Sequence, residues 1–354
     1  MIATKTCLIL GAGASAPYGI PTAVALRKLM LASEVPRAGE VAVNYPTLGP
    51  DGRVRDHRED PRMSNEKRFS RARIDWINFL NKICQESGFD HGVVKGFRTT
   101  FFKARQTSID KFIQRYEKEY GDVGRVHMAA AVLNCEQDRW LNEDWYAQLI
   151  DEIAPKGPDD IKDDMLSIIT FNYDRSFEQF FIDAFQYGFR MSAKAASALL
   201  HRIRIVHVYG NLGALNETPY GKISVATEAS SRISFIRDAQ KAACRREIDD
   251  TLQSATTVCF IGFGFAAENL ALFEPEAFKG KRVIATSIGL SPNRKSEIQK
   301  KIKAVHFFDG TASELLNSEN LFDARKAKPP IQIPVRRRSN FVRSAMRPEP
   351  WMGF

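Results

Sequence analysis

Thr6-Cys7-Leu8-Ile9-Leu10-Gly11-Ala12-Gly13-Ala14-Ser15 is a short apolar run that passes directly into a glycine-rich turn and a stretch of small residues. A strand that is apolar on both faces belongs inside a parallel sheet with helices on each side. Similar runs follow at Leu166–Phe171 before Asn172, Ile203–Tyr209 before Gly210, and Thr257–Phe263 before Gly264. Arg282–Ile288 and Ala304–Phe308 read as a fifth and a shorter sixth. Helical stretches separate the runs, so the expected fold is α/β, a Rossmann-like doubly wound parallel sheet.

The first two strands are separated by about 150 residues with no sheet pattern. Asn65–Glu86 carries Ile74, Ile77, Leu80 and Ile83 at helical spacing, and Ser108–Glu119 places Ile109, Phe112, Ile113 and Tyr116 on one face, with Ser108 as N-cap. Val123–Cys135 and Glu143–Ile153 are further helices. We therefore expect a helical insertion at about residues 34–160, hung on an α/β core within a domain of residues 1–323. Inside the insertion, Pro36–Ser64 has no periodicity and reads as a long surface loop or disordered segment. Residues 324–354 read as a basic, proline-rich extended tail.

Net charge is +9, but its distribution matters more than its sum. Residues 324–347 hold eight Lys/Arg and no acid, and without them 43 basic residues face 42 acidic ones. The tail carries the basicity, and direct nucleic-acid binding by that tail is a minor alternative and not the expectation. No apolar run approaches the roughly 18 residues of a membrane span, so a soluble, cytoplasmic protein without a membrane partner is expected. The five cysteines are dispersed and contain no C-x-x-C pair, so neither a disulfide framework nor a zinc site is expected.

Four segments carry chemistry. In Gly11-Ala12-Gly13-Ala14-Ser15 the glycines let backbone approach a pyrophosphate, although the third glycine of the dehydrogenase fingerprint and the downstream acid are missing. A tight strand-to-helix turn without ligand is the plain alternative. Thr170-Phe171-Asn172-Tyr173-Asp174 ends a strand where open α/β sheets bind ligands. There Asn172 can hold a ribose hydroxyl or a water, unless the segment is simply an Asx turn. Val206-His207-Val208-Tyr209-Gly210 offers His207 as a base, with Tyr209 expected on the same strand face. Gly262-Phe263-Gly264-Phe265, followed by Glu268 and Asn269, forms a second glycine-rich strand end.

Taken in order, these four segments resemble the sirtuin-like family, specifically its bacterial branch that hydrolyses NAD+ in antiphage defence. Ser108-Ile109-Asp110-Lys111-Phe112 also looks like a segment of that branch. The resemblance covers the α/β core and implies cleavage of the nicotinamide–ribose bond to deplete NAD+, a route to abortive infection. NAD+ is then substrate, and no cofactor is required. It implies Asn172 and His207 as the catalytic residues. Gly11, Ala12, Gly13, Ser15, Thr170, Asp174, Tyr209, Gly262, Gly264 and Asn269 would bind the dinucleotide. As partners it implies a homo-oligomer, or a complex with a HerA-type ATPase or another defence protein. Deacylation is not implied: the paired-cysteine zinc module is missing, Pro21-Thr22-Ala23 stands where deacylases have Asp-Phe-Arg, and Phe171 replaces a Gln. Tyr209 occupies the slot of the deacylase His, so His207 and Tyr209 compete for the role at the ribose. The alternatives are a non-catalytic nucleotide-sensing or regulatory subunit and a nucleic-acid binder led by the tail.

Overall fold

The computed structural model describes residues 2–31, 65–106, 108–142, 144–235, 242–319 and 321–322. The expectations for Pro36–Ser64 and for the tail at 324–354 lie outside them. In chain order the main elements begin with β1 (Thr6–Leu10), α1 (Ala12–Ser15), α2 (Ala23–Leu31), α3 (Asn65–Glu86), α4 (His91–Lys103), α5 (Ile109–Cys135) and α6 (Trp145–Ile153). Next come β2 (Leu166–Thr170), α7 (Ser176–Asp183), α8 (Ala193–Leu200), β3 (Arg204–His207), α9 (Ala226–Ser230) and α10 (Ala242–Ser254). The chain continues through β4 (Thr257–Ile261), α11 (Ala267–Leu270), β5 (Arg282–Thr286), α12 (Pro292–Lys301), β6 (Val305–Phe308) and α13 (Ala312–Ser318).

The six strands form one all-parallel sheet in the order β3-β2-β1-β4-β5-β6, a Rossmann-like α/β fold. The order reverses at β1, so the crevice between the C-terminal ends of β1 and β4 is the topological switch point. Alternation along β1 divides the core: Leu8 and Leu10 pack with α6, α7 and α8, while Cys7 and Ile9 pack with Ile248 of α10 and Ile298 of α12. A third apolar cluster joins α2, α3, α4, α5 and α9, centred on the buried rings of Phe97, Phe101 and Phe112.

Helices α3 to α6 occupy the chain between β1 and β2. Ser108 caps α5 by accepting the Lys111 N–H, and one helix covers both stretches expected as separate helices, with its dihedrals broken only at Tyr116 (φ −118°, ψ 29°). Strand β3 is shorter than expected. Gly210 N donates to His207 O (3.1 Å), turning the chain before Tyr209 can continue the strand.

Register brings the motifs together. Leu10 lies opposite both Thr170 and Ile261, and Thr170 lies opposite His207. The turns that follow these residues therefore emerge at one edge of the sheet. Gly262, at φ +58°, holds the switch point closed: a Cβ there would lie 2.1 Å from Ala14 N, and one on Gly13 would lie 2.9 Å from Gly262 Cα. No side chain fits between these two turns.

Candidate active site

Asn172 sits just past the end of β2 and is buried. Its Nδ2 donates to Gly11 O (3.0 Å) and to Ser15 Oγ (2.9 Å), bonds that fix which end of the amide is which. Both amide protons are then in use, so any further hydrogen bond made by this side chain is accepted at Oδ1. The β1 and β2 turns thus present one oriented acceptor.

His207 lies behind Asn172. Its Nε2 is 2.7 Å from Glu178 Oε1 and its Nδ1 is 3.4 Å from Asn172 O, with the two side chains only 9% and 14% exposed. Both facing groups are acceptors, a setting that suits the doubly protonated imidazolium. Burial alone pulls the imidazole pKa down. The Glu178 carboxylate, its hydrogen bond, the Asn172 carbonyl and the charge of Asp174 outweigh burial and leave the value above the ordinary one. In this arrangement both ring nitrogens face protein acceptors, one of them the backbone carbonyl of Asn172.

A consequence follows for stability. With its folded pKa raised, His207 contributes stability in full below about pH 6.5, the unfolded value, and that contribution is lost as pH rises through the folded value. Thermal melts from pH 6 to 9 are expected to show an alkaline decline that Glu178→Gln largely removes, and identical profiles for both proteins would refute the pairing.

Contrary to the expectation from strand alternation, Tyr209 does not share a face with His207. After the turn at Gly210 it joins the opposite apolar layer, 5.7 Å from the Phe171 ring centroid, and its hydroxyl donates to Asn269 Oδ1 at 2.5 Å. Burial drives the phenol pKa further up, so it remains neutral. Above it stands the start of α5, with Lys111 Nζ 2.8 Å from Glu268 and the Tyr173 hydroxyl 3.4 Å from Asp110.

Asp174 forms the Asx turn named as the plain alternative: Oδ1 accepts from Ser176 N (3.1 Å) and from the Ser176 hydroxyl. Burial raises its pKa, and Oδ2 has no partner. With Ser15, Thr170, Tyr146 and Glu178 it lines a cavity of about 10 Å³, room for a single water.

The larger opening lies across the switch point. A cleft of about 770 Å³ is lined by Gly13, Gly262 and Gly264 from the β1 and β4 turns, by Thr286 at the end of β5 and by Leu290 beyond it. Thr311 and Ser313 at the start of α13, with Asp144 and Gln148 at the start of α6, complete its walls. Of the residues expected at the dinucleotide, Gly13, Gly262 and Gly264 reach this cleft, Ser15, Thr170 and Asp174 reach the small cavity, and Tyr209 and Asn269 bond to each other. The Gly13 N–H is not free for a phosphate, since it donates to Gly262 O (3.0 Å).

Asn172, Glu178, His207, Tyr209, Gly262 and Asn269 all fall in one stretch of chain. Residues 166–282 match the SIR2-like domain family model. The match supports a sirtuin-like family and is compatible with NAD-related activity. The SIR2-like segment runs from the first residue of β2 to the first residue of β5 and so carries one side of the switch point. No curated protein matches the chain.

Glu178, Asp144 and Gln148 were not singled out from sequence. Glu178 had a weak signal, since it lies four residues after Asp174 on the first turn of a helix entered from a strand end. Nothing marked the other two. Another buried pair carries no sequence signal: Arg175 donates to Glu136 at 2.5 and 3.1 Å, and also to Gly213 O and Thr218 O. Among the described residues no group of three or more His, Cys, Asp or Glu could hold a metal, and no helix is long and apolar enough to cross a membrane.

Proposed function

We propose that the protein is an NAD+ glycohydrolase that cleaves the nicotinamide–ribose bond and depletes NAD+, in antiphage defence by abortive infection. The observation that carries this is the oriented Oδ1 of Asn172, whose amide bonds Gly11 two residues before the cleft-lining Gly13, beside a nucleotide-sized cleft at a switch point that a SIR2-like segment carries on one side. On this reading the cleft takes the adenosine and pyrophosphate, and the nicotinamide ribose reaches past Gly13 to Asn172. The C1′–N bond breaks with its electron pair going to the nicotinamide nitrogen. A water oxygen then bonds to C1′ and its proton passes to solvent. Nicotinamide is cationic in NAD+ and leaves neutral, so no general acid is required. The oxocarbenium-like centre needs positioning and charge stabilisation more than a strong base. Asn172 accepts from the ribose or the water, and the His207–Glu178 pair holds Asn172 in place. NAD+ is consumed as substrate without a further cofactor.

One observation favours a second reading, a nucleotide-sensing regulatory subunit: neither His207 nor Tyr209 offers an unengaged base. Incubating the purified chain with NAD+ and following nicotinamide by chromatography separates the two. Release supports the glycohydrolase. NAD+ binding without release, alone and with candidate partners, supports the sensor. We further propose that activity is gated by assembly, as a homo-oligomer or with a HerA-type ATPase, because an unrestrained NADase would kill its own cell.

A further inference from the structure

The cleft has a chemical bias that the sheet topology does not impose. Among the described residues lining it, Asp144 is the one ionisable side chain. Its position is fixed from below. Oδ1 accepts the Trp145 N–H at 2.6 Å, and the fully buried Trp145 donates its indole N–H to Ala14 O at 2.9 Å. The carboxylate is thereby tied to the turn after β1, and Asp144 lines the cleft with Oδ2 outside that bond. One helical turn further on, Gln148 gives an amide proton to Ser313 Oγ (2.6 Å), joining the α6 wall to the α13 wall. Two cations on α12 are paired with acids of their own. Arg294 pairs with Glu297 and Lys295 with Asp309, at 2.6 and 2.7 Å, and neither lines the cleft.

On the reading that the cleft receives NAD+, we propose that Asp144 sets its specificity. Asp144 accepts a hydrogen bond from the 2′-hydroxyl of the adenosine ribose and excludes the 2′-phosphorylated dinucleotide. A ribose hydroxyl is a donor and matches a fixed carboxylate, as acids do at the ribose of NAD-binding Rossmann folds. A 2′-phosphate needs a cation such as Arg to accommodate it. Here the phosphate would bring about two negative charges against a carboxylate in a partly desolvated cleft.

The test uses the full chain and two ligands that need no catalysis. ADP-ribose and 2′-phospho-ADP-ribose are titrated calorimetrically into wild type and into Asp144→Asn, which keeps a helix-capping side chain of equal size. Wild type is expected to prefer ADP-ribose by at least about tenfold, and Asp144→Asn to reduce the preference below about threefold, chiefly by admitting the 2′-phosphate. Equal affinities in wild type, or an unchanged preference in a folded Asp144→Asn, would overturn the role of Asp144 while leaving the cleft a nucleotide site. Binding of neither compound would overturn the NAD+ reading of the cleft itself, and the specificity proposal with it.

Discussion

Asn172→Ala is expected to reduce nicotinamide release from NAD+ by at least about 100-fold, the usual scale for losing an oriented polar group at a reacting centre. Folding should survive. The substitution removes a donor from Gly11 O and Ser15 Oγ, which costs about 1–3 kcal/mol if water does not replace it, so melts will shift by a few degrees rather than collapse. Asn172→Asp sharpens the test, because it keeps the size and an outward oxygen but exchanges two donated protons for a charge facing Gly11 O. It should be as inactive as the alanine variant. Activity within threefold of wild type in either protein, measured well below its melting temperature, would remove Asn172 from the mechanism.

The largest effect on stability is expected at Glu136. Its carboxylate is fully buried, accepts Arg175 Nε and Nη2 and the Arg175 and Gly221 backbone N–H groups, and sits at the C-terminal end of α5. It ties the insertion to the β2–α7 turn and to the loop beyond β3. Glu136→Ala leaves a buried guanidinium without its carboxylate, at a cost of about 3–5 kcal/mol. Replacing both partners by apolar residues, Glu136→Leu with Arg175→Met, should recover part of that loss. Recovery will be incomplete, since Gly213 O and Thr218 O lose their donor as well. Urea unfolding at constant m measures both variants. A single-variant loss below about 1 kcal/mol would show that the pair carries little of the fold.

The sheet was legible because buried parallel strands leave an unmistakable trace: six short apolar runs ending in Gly, Asn or polar turns. All six are present, and no end is overestimated by more than two residues, where turn bonds, such as Gly210 N to His207 O, stop the ladder early. Helix α4 escaped notice because its Val94, Phe97 and Phe101 face a core built by other parts of the insertion, and those partners are not visible locally. For the same reason Glu178 and Asp144 were silent. Each matters through a neighbour distant in sequence, His207 or the β1 turn, and period and spacing record only local order. The placement of Tyr209 beside His207 failed on a single turn, because alternation holds only while the strand lasts.

The central strand also sets the order in which the molecule can be completed. β1 lies between β2 and β4, and its residues pair with partners 160 and 251 positions further along, Thr6 with Leu166 and with Thr257. Such contacts are slow to form because long loops must close first, whereas Phe97 and Phe101 of α4 and Phe112 of α5 are close in sequence and can meet early. During synthesis β1 therefore waits while the insertion collects beside it. The bonds that aim Asn172 span 157 and 161 residues, and Gly11 meets its β4 partner later still. A nascent chain that stops short of β4 has no switch point and no cleft, so the candidate site cannot be assembled before translation has passed Gly262, and its far wall waits for Thr311 and Ser313.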